Sequence, residues 1–543
     1  MGKNKRNNKN KNKQPPPPAA GSAGGGAAAA TATATGAAKN NSNENRTIPE
    51  LSYRPRRELN DLVSKLLALV EVQPENPNEE WNQYIQMHEL LQRIIVLEEP
   101  IKQAVLPSED DTSAANRLAR VERFKEWAES RGVVNTAVEI ATIPGYELGL
   151  KAIRDIKAEE KVISVPHHTI FSMESLPETE RNLIDNFSAL GNFKLVFALI
   201  IEKARGDQSA WKPYIDVLPA KYNTVLYYTP AQMQKLRRTA VCSVAVRQCR
   251  LIARQYATMY TCAHLPAKAT GTEIANKGAY FTSYGLCYEV YRWAVSTVMT
   301  RQNLVPRKFQ VKGASGEENV TDDEPVSALI PFWDMANHGS GRITTFFDST
   351  AGEVSCNAQA ACSAGEQFFI YYGDRTNTEF LVNNGFVDPD NRNDYVNIRL
   401  GLSPTDPLAE KRAIILAALG IERKATLRVL PAPVYIHGDL LAFVRVFNMS
   451  SEQLDHWSSN LERARDLQYI DCALETDHER STWQYLYERL RLLLAAFDAP
   501  LPAIKDDGKD SNQDIELTIQ QYRCQEKSIL AGALQYVQEH CKV

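Results

Sequence analysis

Three short segments hold the side chains best suited to chemistry. The first, 329–345 (LIPFWDMANHGSGRITT), puts Trp333, Asp334, Asn337 and His338 within six residues, where an apolar run gives way to a loop. Polar groups that dense beside aromatic rings suit a pocket for a small polar ligand. They equally suit a capped strand end, with Asp334 and Asn337 bonding local backbone and His338 a satisfied partner. The second segment, 364–377 (AGEQFFIYYGDRTN), carries Tyr371 and Tyr372 ahead of a glycine. On a strand these rings take opposite faces, so one can line a pocket while the other enters the core. The third, 298–303 (VMTRQN), ends an amphipathic run with Arg301, Gln302 and Asn303. A helix C-terminus favours a cation in any case, so Arg301 alone does not identify a site.

Several other chemistries fall away by inspection. No GxGxxG follows a strand signal, and the glycines at 21–28 sit in a low-complexity stretch; GxxxxGK[ST], HExxH and GxSxG are absent. Rossmann-type enzymes, P-loop enzymes, zincins and α/β-hydrolases are thereby disfavoured. Nine cysteines form no CxxC pair. That pattern fits reduced thiols in the cytosol or nucleus better than a disulfide framework or a zinc site, so no metal is expected. Net charge is −4, and setting aside the cations Lys3, Lys5, Arg6, Lys9, Lys11 and Lys13 leaves −10. A body of that sign binds polyanions poorly, which argues against nucleic acid.

The elements that must position these residues can be read from periodicity. A chain of 543 residues suggests two to four folding units. Its longest apolar run, about 195–201, is far short of the ~18 residues a membrane helix needs. The basic N-terminus has no apolar stretch for a secretory signal, and Arg6 stands where a myristoylation signal wants Ser or Thr. Residues 1–46, rich in Asn, Lys, Pro, Ala and Gly, cannot bury enough apolar area to order and read as a disordered leader. Leucines at 59, 62, 66, 67 and 69 and the run at 84, 87, 90, 91 and 94 mark two helices, and a third should carry Arg117, Phe124 and Trp127. Short β-type runs follow at 146–150 and 162–165. Helical spacing resumes from about 175 to 300, and 313–325 is an acidic loop. Strand signals return at 328–331, 343–347, 354–357, 367–372 and 396–400, and from about 405 the chain reads as almost wholly helical. The fold class is α+β: a core of short strands split by a helical insert, then a helical C-terminal half.

Taken together, in this order and at these separations, the segments resemble the SET-domain methyltransferases. NHxxG at 337–341 is followed about 30 residues later by a strand ending in Tyr371–Tyr372–Gly373, and GLKAIRDIKAEEKVISVP (149–166) is similar to the family's first hairpin. The insert and the helical C-terminal region resemble the subgroup related to the plastid Rubisco lysine methyltransferases. YRWAVSTVMTRQN, LIPFWDMANH, GRITT and YYGDRTNTEFLVNNGF are closest to that subgroup's actin-directed protein-histidine N-methyltransferase branch, with likeness spanning roughly 115–450. Composition and periodicity give a leader at 1–46 and N-terminal helices at 47–136, and the resemblance implies a SET domain at 137–373 with its insert at about 175–300 and an all-α Rubisco-methyltransferase-like substrate-binding domain at 374–543.

It also implies S-adenosyl-L-methionine as cofactor and actin as protein substrate; with the cysteine, charge and apolar-run readings above, the expectation is a monomer of the cytosol or nucleus with no nucleic-acid or membrane partner. Arg117 and Arg301 would hold the cofactor's carboxylate. Asp334, Met335, Ala336, Asn337 and His338 would line the cofactor, Asn384, Gly385 and Phe386 would close its adenine side, and Tyr146, Glu147 and Leu148 form the first contact strip, in a form that departs from the family pattern. Tyr372 would be the catalytic tyrosine, and Asn303 would bond the target ring. Arg254, Gln302, Trp333, Ile343 and Arg375 match the substrate groove. An imidazole of pKa ~6.5 is mostly neutral at pH 7, whereas a lysine at ~10.4 is neutral in about one copy per few thousand. A histidine acceptor therefore needs orientation and the right tautomer more than a strong base. A lysine methyltransferase of the same architecture and a non-catalytic peptide-binding SET scaffold remain open alternatives.

Overall fold

The computed structural model describes residues 48–106, 114–185, 193–264, 283–307, 325–348, 350–472, 474–501 and 512–541. The leader expected at 1–46 and nearly all of the acidic loop lie outside them. Short strands build three small sheets around the motif-bearing segments. The hairpin of β2 (Val138–Ile143) and β3 (Glu147–Ala152) turns at Pro144–Gly145, where the Tyr146 N–H donates to the Ile143 carbonyl at 3.0 Å. Gly145 takes φ +81, the left-handed state that the second central residue of such a turn requires.

Two pairings then bring distant motifs together. β11 (Gln367–Ile370) lies antiparallel to β3 and parallel to the two-residue β8 (Asn337–His338), matching Phe369 with Asn337 and Ile370 with His338. In a second sheet, β7 (Pro325–Leu329) lies between β5 (Phe171–Ser172) and the edge strand β6 (Asn303–Pro306), whose pairing with β7 sets Asn303 against Ala328. The third sheet runs in the order β1 (Val134–Asn135), β4 (Lys161–Pro166), β10 (Glu353–Asn357) and β9 (Thr345–Asp348), the last of which supplies Thr345.

The helix Tyr288–Arg301 delivers the remaining segment. Val290, Tyr291, Trp293, Ala294, Val295 and Val298 are all buried, the signature of a helix interior to a domain. Its N-terminus is held by the buried Glu98, which accepts from Tyr288 N–H at 2.7 Å and from Tyr256 O–H at 2.5 Å. The single helix expected around Arg117 is two, Ala114–Leu118 and Val121–Ser130. The break at Ala119–Arg120 leaves Arg117 buried while Phe124 and Ala128 bury the second helix's inner face.

A second apolar core follows, built on the helices Gly438–Asn448, Thr476–Asp498 and Gln513–His540. The region is mainly helical as expected, but it also holds a strand, β13 (Lys424–Val429), paired antiparallel with β12 (Val396–Gly401). Its alternation was present in the sequence: Lys424, Thr426 and Arg428 are exposed, and Leu427 and Val429 are buried. Glu526, which interrupts the apolar stripe of the last helix, accepts twice from the Ala240 N–H, at 2.9 and 3.0 Å. Among the described residues no helix is long and apolar enough to cross a membrane.

Candidate active site

After β7 the chain turns abruptly. Phe332 takes φ +71 just before the turn Trp333–Met335. A left-handed backbone is unfavourable for a bulky side chain and persists where packing overdetermines it, as at functional sites. Trp333 and Asp334 are buried by that turn, and the Trp333 indole N–H donates to Thr345 Oγ1 at 2.9 Å. Helix Tyr288–Arg301 ends at Arg301, Gln302 is already extended, and Asn303 opens β6.

These pieces meet around a cavity of about 170 Å³, whose walls include Arg301, Gln302, Asn303, Trp333, Asp334, Ala336, Ile343, Tyr372 and Arg375. That volume is below the range for a cofactor-sized ligand and suits one inserted side chain. Tyr371 lines it too. The expectation that the two tyrosines take opposite faces is thus corrected: β11 ends at Ile370 and Gly373 turns at φ +98, so strand alternation no longer governs them. Leu304, Ile343 and Phe346, largely exposed, also border the cavity.

Tyr372 is fixed from two sides. Its hydroxyl donates to the Ala336 carbonyl at 2.8 Å and its N–H donates to His338 Nδ1 at 3.2 Å. Burial pushes its pKa up to about 12, with Arg301 partly opposing. At neutral pH it is a phenol whose oxygen keeps lone pairs to accept with, and not a phenolate base. Asn303 spends little of its amide elsewhere; Nδ2 reaches the Arg301 carbonyl at 3.4 Å.

Behind the cavity lies a buried ionic cluster. Arg301 Nη1 donates to the Asp334 carbonyl at 2.7 Å and stands 3.4 Å from its carboxylate Oδ1. Tyr214 O–H donates to Asp334 Oδ2 at 2.5 Å. Burial raises the Asp334 pKa, with Arg301 and Tyr214 opposing. Burial also works against the Arg301 charge, yet Asp334 and the tyrosines around it leave that pKa raised. Arg117 donates from Nε to the Val217 carbonyl at 3.0 Å and from Nη1 to Glu147 Oε2 at 2.6 Å. Its pKa is lowered by burial and then by the Arg301 charge.

Two buried guanidiniums that act on each other favour an added anion. Asp334 Oδ1 is buried with no hydrogen-bond partner among the described residues, so an added cation is favoured as well. A zwitterionic amino-acid group meets both demands. Beside it, Asn337 Nδ2 donates to Gln367 Oε1 at 2.7 Å and to the Leu148 carbonyl at 3.2 Å. The side chain of Asn337 therefore faces away from the cavity, whose wall takes Ala336 instead. Gly149 makes room for this: a Cβ there would lie 2.6 Å from Asn337 Nδ2. His338 packs on Phe380 and Phe386, whose rings stack at 4.8 Å, and Phe386 meets Tyr372 edge-on at 6.3 Å. Gly385, at φ +80, fits tightly against the Asn223 carbonyl. Met335 Sδ lies 3.6 Å from Arg301 Nη1, and the half-exposed Tyr146 meets Phe369 at 6.0 Å.

Arg254 is apart from these groups, on the exposed face of the helix Cys242–His264 and outside the cavity lining. Sequence reasoning missed Tyr214, Gln367 and Thr345. Only Gln367 carried a usable signal, a polar residue opening an otherwise apolar strand. Tyr214 is 120 residues from Asp334 and no local pattern joins them.

Comparison with known proteins adds an independent line. A family model described as Rubisco LSMT substrate-binding matches residues 403–530. An actin-histidine N-methyltransferase of Drosophila melanogaster is 54% identical over 506 residues, covering 92% of each chain. One of Gallus gallus is 32% identical over 491 residues, covering 88% of this chain and 77% of the relative. Among solved structures, the SET domain of LSMT bound to lysine and AdoHcy superposes with a TM-score of 0.56 at 18% identity, over 78% of this chain and 91% of that one. Rubisco LSMT bound to AdoMet gives 0.54 at 17%, over 78% and 92%. At such identities these neighbours speak to fold alone.

Proposed function

The chain belongs to the family of actin-histidine N-methyltransferases, and from that membership we propose that its 170 Å³ cavity receives a histidine side chain of actin and holds it in line with the cofactor's methyl group. The protein is an S-adenosyl-L-methionine-dependent enzyme that methylates a histidine of actin. The bound cofactor supplies a methyl group already activated on a sulfonium, so the chain's own work is alignment and exclusion of water.

Arg117 and Arg301 would take the cofactor's carboxylate, for which a guanidinium fork is suited. Asp334 Oδ1 would take its ammonium, and Asn337, His338, Asn384, Gly385 and Phe386 would bound its nucleoside side. Asn303 Oδ1 would accept the N–H of one imidazole nitrogen, which selects the tautomer that presents the other nitrogen's lone pair. Tyr372, protonated and tethered to the Ala336 carbonyl, would orient the methyl channel and not abstract a proton. Trp333, Ile343 and Arg375 would border the actin segment. The observation that carries this reading is the convergence of Asn303, Tyr372 and Arg301 on one cavity sized for a single side chain.

We further infer a monomer that acts without nucleic acid in the cytosol or nucleus; nine cysteines without a CxxC pair support the compartment, and the acidic net charge supports the absence of nucleic acid. Incubation of the purified chain with labelled S-adenosyl-L-methionine and bacterially produced actin should place label on one histidine, read by peptide mass spectrometry. Label on lysine, or none with cofactor binding intact, overturns the assignment.

A further inference from the structure

The hairpin tip next to Arg117 carries its own anion. Glu147 opens β3 at φ +60, directly after the connection Pro144–Gly145–Tyr146. A left-handed residue following such a turn is a place glycine fills without steric cost. A glutamate there is the less favourable choice, and what it delivers is a carboxylate: Glu147 Oε2 accepts from Arg117 Nη1 at 2.6 Å. The two partners differ sharply. The Arg117 side chain is 3% exposed and that of Glu147 is 64% exposed. Arg117 is also tied to the Val217 carbonyl, so it is the fixed partner and Glu147 the movable one. An ion pair with one partner mostly in water is weakly held. The neighbouring buried guanidinium, Arg301, has Asp334 as its own counter-ion.

We propose that Glu147 is a resident counter-carboxylate on Arg117 which the carboxylate of the cofactor's methionine part displaces, so that Glu147 weakens cofactor binding and eases product exchange. This rests on the reading that Arg117 receives that carboxylate. Two carboxylates on one guanidinium repel each other, so the exposed one yields. The cost falls equally on cofactor and demethylated product, because both carry the same amino-acid group.

The test is calorimetric titration of the full chain and its Glu147→Gln variant with S-adenosyl-L-methionine, S-adenosylhomocysteine and 5′-methylthioadenosine, which lacks the amino-acid group. Glutamine keeps the size and removes the charge. Both amino-acid ligands should bind the variant about three- to tenfold more tightly, and 5′-methylthioadenosine should bind both proteins alike. Glu147→Gly, which also relieves the backbone, should reproduce the tightening without loss of thermal stability. Weakened binding of either amino-acid ligand would make Glu147 a ligand to the cofactor and overturn the proposal. Unchanged affinities, or equal tightening of 5′-methylthioadenosine, would overturn it as well. Failure of the unmodified chain to bind any of the three would instead bring down the functional reading and the proposal together.

Discussion

Replacing Tyr214 by phenylalanine removes one oxygen from the ionic cluster and leaves the ring in place. That oxygen donates to Asp334 Oδ2 at 2.5 Å, both side chains are buried, and Asp334 Oδ1 already lacks a hydrogen bond among the described residues. A hydrogen bond to a charged group contributes about 1.5–3 kcal/mol, and leaving the acceptor buried and unsatisfied moves the cost toward the upper end. The variant should therefore lose about 2–3 kcal/mol of stability at neutral pH. The pH dependence has a definite sign. Burial has raised the Asp334 pKa above its ordinary value, and loss of the donor raises it further. A carboxyl with a raised folded pKa binds its proton more tightly in the native state than in the unfolded one. Its ionisation penalty is therefore absent at acid pH and grows as pH rises beyond the ordinary carboxylate range. The deficit of Tyr214→Phe should be largest at pH 7–8 and shrink toward pH 5, in urea unfolding followed by tryptophan fluorescence. In parallel, the KM for cofactor should rise about tenfold because Asp334, proposed to take the cofactor's ammonium, is no longer held in its ionised and oriented form, while kcat at saturating cofactor falls less. A deficit under about 0.5 kcal/mol, or one of equal size at both pH values, refutes this account of the cluster.

Tyr372→Phe should lower kcat by about tenfold or more with cofactor affinity changed by less than about twofold, since its hydroxyl bonds a carbonyl and no cofactor-binding cation; equal loss of both in kinetics and calorimetry would contradict the role. Asn303→Ala should cost about 1–3 kcal/mol in kcat/KM for actin, roughly five- to 150-fold, with cofactor binding retained. Glu98, buried among three helices, has its pKa raised to about 8 by burial, against the hydrogen bonds from Tyr256 and Tyr288. It therefore favours folding most below the ordinary carboxylate pKa, and that contribution is lost as pH rises to about 8. Unfolding measured from pH 5 to 8 should show a fall in stability that Glu98→Gln largely removes.

How much of this was legible depends on the range of the interactions. The strand β11, the helix Tyr288–Arg301 and the cluster at Trp333–His338 each announce themselves over fewer than fifteen residues, through alternation, helical spacing or dense polar types. Their meeting place does not. The parallel pairing of Asn337 with Phe369 and the contact of Tyr214 with Asp334 depend on chain paths that no local periodicity encodes. Termination was the other blind spot. Gln367–Tyr372 reads as one strand, yet Gly373 at φ +98 lets it end at Ile370, and that two-residue difference is what admits Tyr371 to the cavity. β13 was overlooked for the opposite reason, since its short alternation lies between strong helical runs.

The proposed cofactor and acceptor sites share one frame, and this explains how motifs so far apart in sequence act as one set. Arg301 ends a buried helix and Asn303 opens the next strand, so one backbone path sets the positions of the proposed carboxylate clamp and of the amide proposed for the target ring. Asn384 donates to the Thr300 carbonyl near the end of that helix and accepts from Arg375 of the cavity wall, each at 3.3 Å. A shift of the helix end by a few tenths of an ångström would thus move Arg301, Asn303 and Arg375 together, and with them the clamp and the target-ring contact proposed for them. Methyl transfer to a ring that is already neutral asks little of a base and much of alignment. The buried helix, capped at one end by Glu98 and tied at the other to Asp334 and Asn384, is the element that supplies it.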